Sequence, residues 1–232
     1  MLRMLYFVQH WFNLAHAACE DNRNLLVTGL PMNIDTVSAL RQMYAAPQER
    51  AVKKEIASLD THCRRFIELS PFLILATSDA EHNLDASPRG GAPGFVRVTV
   101  RGDLLIPDSP GNNRLDSFEN IVSTKKVGIL FLIPGFDETL RVNGSALLSF
   151  DPEDITTCST ERRAPKLVIR VSVQAAYLHC AKAFLRSKLW EPSSMVERSL
   201  LPTAGKMISE QTGLHVAPET REEMVKRYAP DL

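Results

Sequence analysis

The spacing of apolar positions changes character twice along this chain. Over residues 33–46, Val37, Leu40, Met43 and Tyr44 fall at helical intervals, with Asp35 as the expected N-cap and Pro47 as the stop. Over residues 48–69, Val52, Ile56, Leu59, Cys63, Phe66 and Ile67 recur every three or four positions and predict one long amphipathic helix. Ser70-Pro71 ends that pattern. The period then shortens to that of strands.

Residues 72–77 are a compact apolar run, and residues 78–83 a polar turn. Residues 84–91 read as a second short strand or extended loop. In residues 95–101, Val96, Val98 and Val100 alternate with Arg97, Thr99 and Arg101, which predicts a half-buried strand. Gly102-Asp103 is a two-residue turn signal before the strand at 104–107. Leu115, Phe118, Ile121 and Val122 predict a short helix. Residues 126–133, 138–150 and 166–177 predict three longer strands, the second bulged or bent at Asn143-Gly144. Asp151, Glu153 and Asp154 around Pro152 mark a helix or loop start. Helical patterns return at 181–190, 203–211 and 219–228. Six or seven strands thus follow one another with one inserted helix and no regular crossover helices. That order predicts an α+β fold, an antiparallel barrel or sandwich with flanking helices, and disfavours a doubly wound parallel sheet.

Composition narrows the function classes. The chain has 27 basic and 27 acidic residues and no net charge, so bulk electrostatics do not direct it to nucleic acid. An apolar fraction of 44% excludes intrinsic disorder. No apolar run approaches the length of a membrane span. Cys19, Cys63, Cys158 and Cys180 are widely and unevenly spaced, which suits reduced thiols in a cytoplasmic protein. The histidines are equally scattered, and no metal site is expected.

Residues 1–30 stand apart from residues 31–232, which are expected to form a single domain with a helical start (33–69) and a helical tail (181–232). Residues 1–19 hold no acid and one arginine. They read as an added amphipathic helix, a weak targeting segment for an organelle, or sequence upstream of the true start. Met32, just after Pro31, favours the last, and no function is assigned to residues 1–30.

Three segments place arginine among glycine, proline, serine and asparagine: 87–91 with Ser87 and Arg89, 110–117 with Asn113, Arg114 and Ser117, and 140–144 with Arg141. Lys182 and Arg186 follow the last strand. In the second segment a glycine-containing loop leads into a helix, with Asn113 as the expected N-cap. Free N–H groups at such a start attract a phosphate. Arg114, expected in the first turn, opposes the helix dipole unless an anion is bound there. Arg141 sits between Leu140 and Val142, so alternation turns it to the opposite strand face. Each of these arginines equally fits a solvated surface. The nucleophile elbow, P-loop and dinucleotide fingerprints are absent, and no catalytic residue is assigned.

Taken in order, FLILAT (72–77), DASPRG (85–90), PGFV (93–96), LIPD (105–108), GNNRLDS (111–117), VGILFLIP (127–134), ETLRVNG (138–144) and HCAKA (179–183) resemble the pyridoxamine 5′-phosphate oxidase-like family of split β-barrels. The likeness is to its longer FMN-binding branch rather than to pyridoxamine phosphate oxidase itself, and it covers residues 33–195. It implies a split barrel with FMN at a homodimer interface. It implies that Ser87, Arg89, Asn113, Arg114 and Ser117 hold the ribityl phosphate, and that Arg141 approaches the flavin or its phosphate. Lys182, with Arg186 or Trp190, would reach in from the partner. The family often carries an acid after the glycine of the first motif, where this chain has Gly91, and looser contacts near the flavin are expected there. The function implied is an FMN-dependent oxidoreductase acting on a small molecule, with NAD(P)H as a candidate donor. The alternatives are an F420-dependent reductase and a non-catalytic flavin- or haem-binding protein, the last resting only on His82 and His179.

Overall fold

The computed structural model describes residues 33–231 except 216 and 218. Expectations for residues 1–30 and Met32 lie outside the described residues. Residues 33–48 and the remainder of the chain form separate compact units. In the first, helix α1 (Val37–Met43) is capped by Thr36, whose side chain accepts from the Ala39 N–H. The expected cap Asp35 lies one residue too early.

The second unit is built on a seven-stranded antiparallel sheet. Its strands are β1 (Phe72–Ser78), β2 (Leu84–Gly90), β3 (Arg97–Val98), β4 (Leu104–Pro107), β5 (Lys126–Leu132), β6 (Thr139–Ser149) and β7 (Val168–His179). Their order is β2-β1-β5-β6-β7-β4-β3. With its flanking helices this is the expected α+β split barrel. One sheet face is the core: Leu73 and Leu75 of β1, Ile129 and Phe131 of β5, Leu140 and Val142 of β6, and Ala176 of β7 are almost completely buried. The helix α3 (Thr61–Leu69) covers it with Cys63 and Ile67, and α4 (Asp116–Thr124) with Phe118 and Ile121.

The long helix expected over residues 48–69 is two helices. The first, α2 (Glu49–Lys53), ends after five residues, and Ile56 then bridges to Ala176 of β7. Helix α3 starts afresh at Asp60, whose carboxylate accepts from the Cys63 N–H at 2.7 Å. The apolar period runs through the break because Ile56 and Leu59 pack on the core from extended backbone as well as they would from a helix. The strand expected over 95–101 is also cut short. Only Arg97–Val98 pair with β4, and the chain turns at Thr99–Gly102, with Gly102 at φ +92° and Val100 fully exposed at the tip. The bulge expected at Asn143/Gly144 is present, where the β6–β7 register shifts.

Helix α5 (Pro152–Cys158) joins β6 to β7, and α6 (Lys182–Ser187) follows β7. Helices α7 (Ala204–Thr212) and α8 (Arg221–Tyr228) occupy the tail where helical patterns are expected. Among the described residues no helix is long and apolar enough to cross a membrane.

Candidate functional site

Strand β2 lies at the sheet edge, where Pro88 costs no ladder bond to a further strand. Asp85, Ser87 and Arg89 are half-buried along it, while Leu84, Ala86, Pro88 and Gly90 are exposed. Register fixes their faces. Ser87 pairs in line with Leu75, Ile129, Val142 and Ala176, and Arg89 with Leu73 and Phe131. Ser87 and Arg89 therefore stand on the core face, at its open margin.

Helix α4 closes that margin. Ser117, 3% exposed, donates to Asp85 Oδ2 at 2.5 Å. Asn120 donates to Thr77 Oγ1 at 3.0 Å, and the Thr124 hydroxyl donates to Ser78 O at 2.9 Å. The Arg89 guanidinium carbon sits 5.3 Å from the centroid of the Phe118 ring. Burial lowers the Arg89 pKa, opposed by the fields of Asp108 and Asp85, and the group stays cationic. Its Nε is buried and has no hydrogen-bond partner among the described residues. A buried donor left unpaired costs about 1–3 kcal/mol.

The loop before α4 differs from expectation. Leu115, not Asn113, is the N-cap, at φ 60° and with no side-chain cap bond. Asn113 is also at φ 60°. The Arg114 N–H is held by Asn112 Oδ1 at 3.1 Å. Arg114 thus precedes the helix rather than lying in its first turn, and pairs at the surface with Asp116 at 2.9 Å. Two left-handed residues that are not glycine store about 1–3 kcal/mol each. Leu115 has no side-chain oxygen with which to cap, so among the described residues no side chain caps α4, and the Phe118 N–H donates to Leu115 O at 2.8 Å.

The expected site residues fall in three places. Ser87 and Arg89 lie along β2 and Ser117 on the facing helix α4, with Asn113 and Arg114 in the loop that leads into that helix. Arg141 pairs with Leu130 and Tyr177, one position from the core-facing Val142, and so lies on the opposite sheet face. Lys182 and Arg186 are exposed on α6. Beyond them Trp190 stacks on Phe184 and donates to Phe136 O at 2.8 Å. Sequence reasoning missed Asp85 and Phe118. Asp85 was legible as the third member of the Asp85–Ser87–Arg89 alternation. At Gly91 a Cβ would lie 2.8 Å from Phe95 Cβ, and the Gly91 N–H donates to Pro71 O at 3.0 Å.

A family model described as pyridoxamine 5′-phosphate oxidase matches residues 59–180, more than half of the chain. The chain belongs to that family. No curated protein matches it. Among solved structures it is similar to HupZ of Group A Streptococcus, at 16% identity and a TM-score of 0.42, over 51% of this chain and 91% of that one. An F420 reductase matches at 17% identity and a TM-score of 0.37, over 50% and 94%. A Mycobacterium smegmatis FAD-binding protein matches at 11% identity and a TM-score of 0.38, over 53% and 96%.

Proposed function

We propose that this chain is an FMN-dependent oxidoreductase that takes the flavin phosphate into the β2–α4 cleft. One observation carries the reading: beside α4 stands a half-buried arginine, Arg89, whose buried Nε has no partner among the described residues. A phosphate oxygen is the acceptor that this donor lacks, and a guanidinium fork suits it. Ser87, Arg89, Asn113 and Arg114 would hold the phosphate, with the uncapped amides at the start of α4. Ser117, whose hydroxyl donates to Asp85, would contribute by docking α4 against β2. The flavin would lie at a homodimer interface, with Lys182 and Arg186 reaching it from the second copy.

Bound flavin supplies hydride transfer through its ring N5. The residues of this chain do the rest. Phe118 and the Arg89 side chain wall the cleft against water. Asp85, locked by Ser117 and reached by Thr77 at 3.5 Å, fixes β2 against α4 and gives Arg89 a neighbouring counter-charge. The substrate is a small molecule, with NAD(P)H as a candidate electron donor.

The test is a visible absorption spectrum of the purified protein, followed by titrations with FMN and F420. FMN should bind, and Arg89→Ala should weaken it by about 1.5–3 kcal/mol, the scale of a hydrogen bond to a charged group. Unchanged FMN affinity in that variant removes the cleft from the site. A protein that takes F420 and refuses FMN is a deazaflavin reductase instead.

A further inference from the structure

The break between α2 and α3 places a cation. Ile56 donates its N–H to Ala176 O at 3.0 Å and accepts from the Ala176 N–H at 2.8 Å. That bridge pins residues 54–56 beside the half of β7 that β4 leaves unpaired, since β4 reaches only Val168–Val171. Lys54 is thereby laid over the Tyr177 ring, with Nζ 5.5 Å from its centroid, and donates to Leu178 O at 2.6 Å.

From the other side, Arg141 of β6 pairs in register with Tyr177. Its guanidinium carbon is 6.0 Å from the same centroid, and its Nε donates to Asn143 Oδ1 at 3.3 Å. His179, two residues along the same strand face, has its ring centroid 5.1 Å from that of Tyr177. Three basic groups from three segments therefore surround one tyrosine.

Among the described residues neither Lys54 nor Arg141 has a carboxylate within ion-pair distance, whereas Lys53, Arg114, Arg170 and Arg227 each have one. The two cations are held instead by neutral oxygens, which fix their positions and leave their charge uncompensated. Burial first, then Arg141 and Lys54, push the His179 pKa below its ordinary 6.5, so the imidazole senses both cations. The surrounding floor is apolar. Tyr177 and Arg141 continue in register through Leu130 and Ile74 to Pro88, across five strands on the face away from the core.

We propose that Lys54, Arg141 and His179, arrayed around Tyr177, form a subsite for the anionic group, carboxylate or phosphate, of the small molecule on which this protein acts. The assignment of that molecule as substrate rests on the oxidoreductase reading above. The anion would take the point charge of Lys54 and the fork of Arg141, and its organic body would lie on Tyr177 and the Leu130–Ile74 floor. The subsite is on the sheet face opposite Arg89, and so is separate from the proposed flavin-phosphate cleft.

The probe is inorganic phosphate, added to FMN-loaded and to flavin-free protein at constant ionic strength, with chloride as control. The readout is the His179 ring proton in NMR spectra, assigned by its loss in His179→Gln. Phosphate should give a saturable shift and raise the His179 pKa by about half a unit or more, as a nearby opposite charge does. Lys54→Met and Arg141→Met keep the aliphatic stems of these exposed residues. Each should weaken the phosphate response at least about tenfold, and Lys54→Met should change FMN affinity by less than about twofold. A phosphate response no larger than that of chloride overturns the subsite, as does a full response in both variants. Loss of FMN binding in Arg141→Met also overturns it, because the cluster then belongs to the flavin. If the wild type fails to hold FMN, or Arg89→Ala holds it unchanged, while the phosphate response persists, the subsite stands and the flavin reading falls.

Discussion

Ser117 on α4 donates a 2.5 Å hydrogen bond to Asp85 on β2, and this bond joins the helix to the edge strand that carries Arg89. Ser117 is almost fully buried, so its hydroxyl has no water to replace the carboxylate. Ser117→Ala leaves Asp85 with only the long contact from Thr77. The variant should lose about 1.5–3 kcal/mol of unfolding free energy, the scale of a hydrogen bond to a charged group. It should also weaken FMN, because β2 and α4 are the two walls of the cleft. Urea unfolding and a flavin titration check the two parts separately. Full stability in Ser117→Ala would show that the bond is not what docks the helix.

His179 gives the fold a defined acid sensitivity. Its folded pKa lies below 6.5, through burial first and then the fields of Arg141 and Lys54. The unfolded chain therefore binds a proton more readily than the folded one. Stability contributed by the neutral imidazole is complete above pH 6.5 and is lost as pH falls through the folded pKa. The groups that face it are Lys54 after α2, Arg141 on β6 and Tyr177 on β7. His179→Gln should flatten the stability profile just below pH 6.5 and leave it unchanged above. Denaturant midpoints measured from pH 5 to 8 report the difference, and parallel profiles for the two proteins would exclude the effect.

The strands were readable from sequence because each buries one face against the same core. Leu73 and Leu75, Ile129 and Phe131, Leu140 and Val142 all repeat at a period of two. Arg89, Ser117 and Arg141 were readable as chemistry out of place among apolar or glycine-rich neighbours. Their division between two faces was not, because it depends on register across five strands. Asn113 has the better capping side chain, yet Leu115 takes the N-cap position, so local propensity was overridden by how α4 docks on β1 and β2. Lys54 was hidden by the continuous apolar period around it. What brings it to Tyr177 is a backbone bridge between residues more than a hundred positions apart, which no local pattern records.

Asp154 anchors α5 from inside the fold. It is 3% exposed and accepts from Ser149 Oγ at 2.7 Å and from Arg170 Nη1 at 2.9 Å. Arg170 Nε also donates to Asp103 at 3.1 Å, and so ties the approach to β4 to the helix after β6. Removing the arginine leaves a buried carboxylate with only a serine. Arg170→Met should therefore cost about 3–5 kcal/mol, the range for breaking a buried pair from one side. Arg170 is itself partly exposed, which places the expectation at the lower end. Because the network lies away from β2, FMN affinity of the folded variant should not change. A urea midpoint equal to wild type would show that solvent reaches Asp154 freely.

Gly144 controls which residue of β7 faces Arg141. Asn143 pairs with Ala175 and Gly144 with Val173, so Gln174 is the extra residue of the bulge. Before the bulge Val171 faces the core, and after it Ala176 does, which is an odd-to-even change along β7. Without that change Tyr177 would point into the core and the cluster around it would not form. The backbones approach so closely there that a Cβ on Gly144 would fall within 2.3 Å of Ser172 O and 3.0 Å of Val171 Cγ1. Neither atom sits at the free end of a flexible chain, so the strands must part. Gly144→Ala should lose about 1–3 kcal/mol of stability, as overpacking in a core does. Gly128→Ala is the matched control one strand away. Its Cβ would meet Asn143 Oδ1 at an ordinary 3.5 Å, and its stability should stay close to wild type. Thermal unfolding of the pair ranks them. If both are equally stable, the bulge accommodates a methyl group without cost, and the tight approach at Ser172 is not what holds the register.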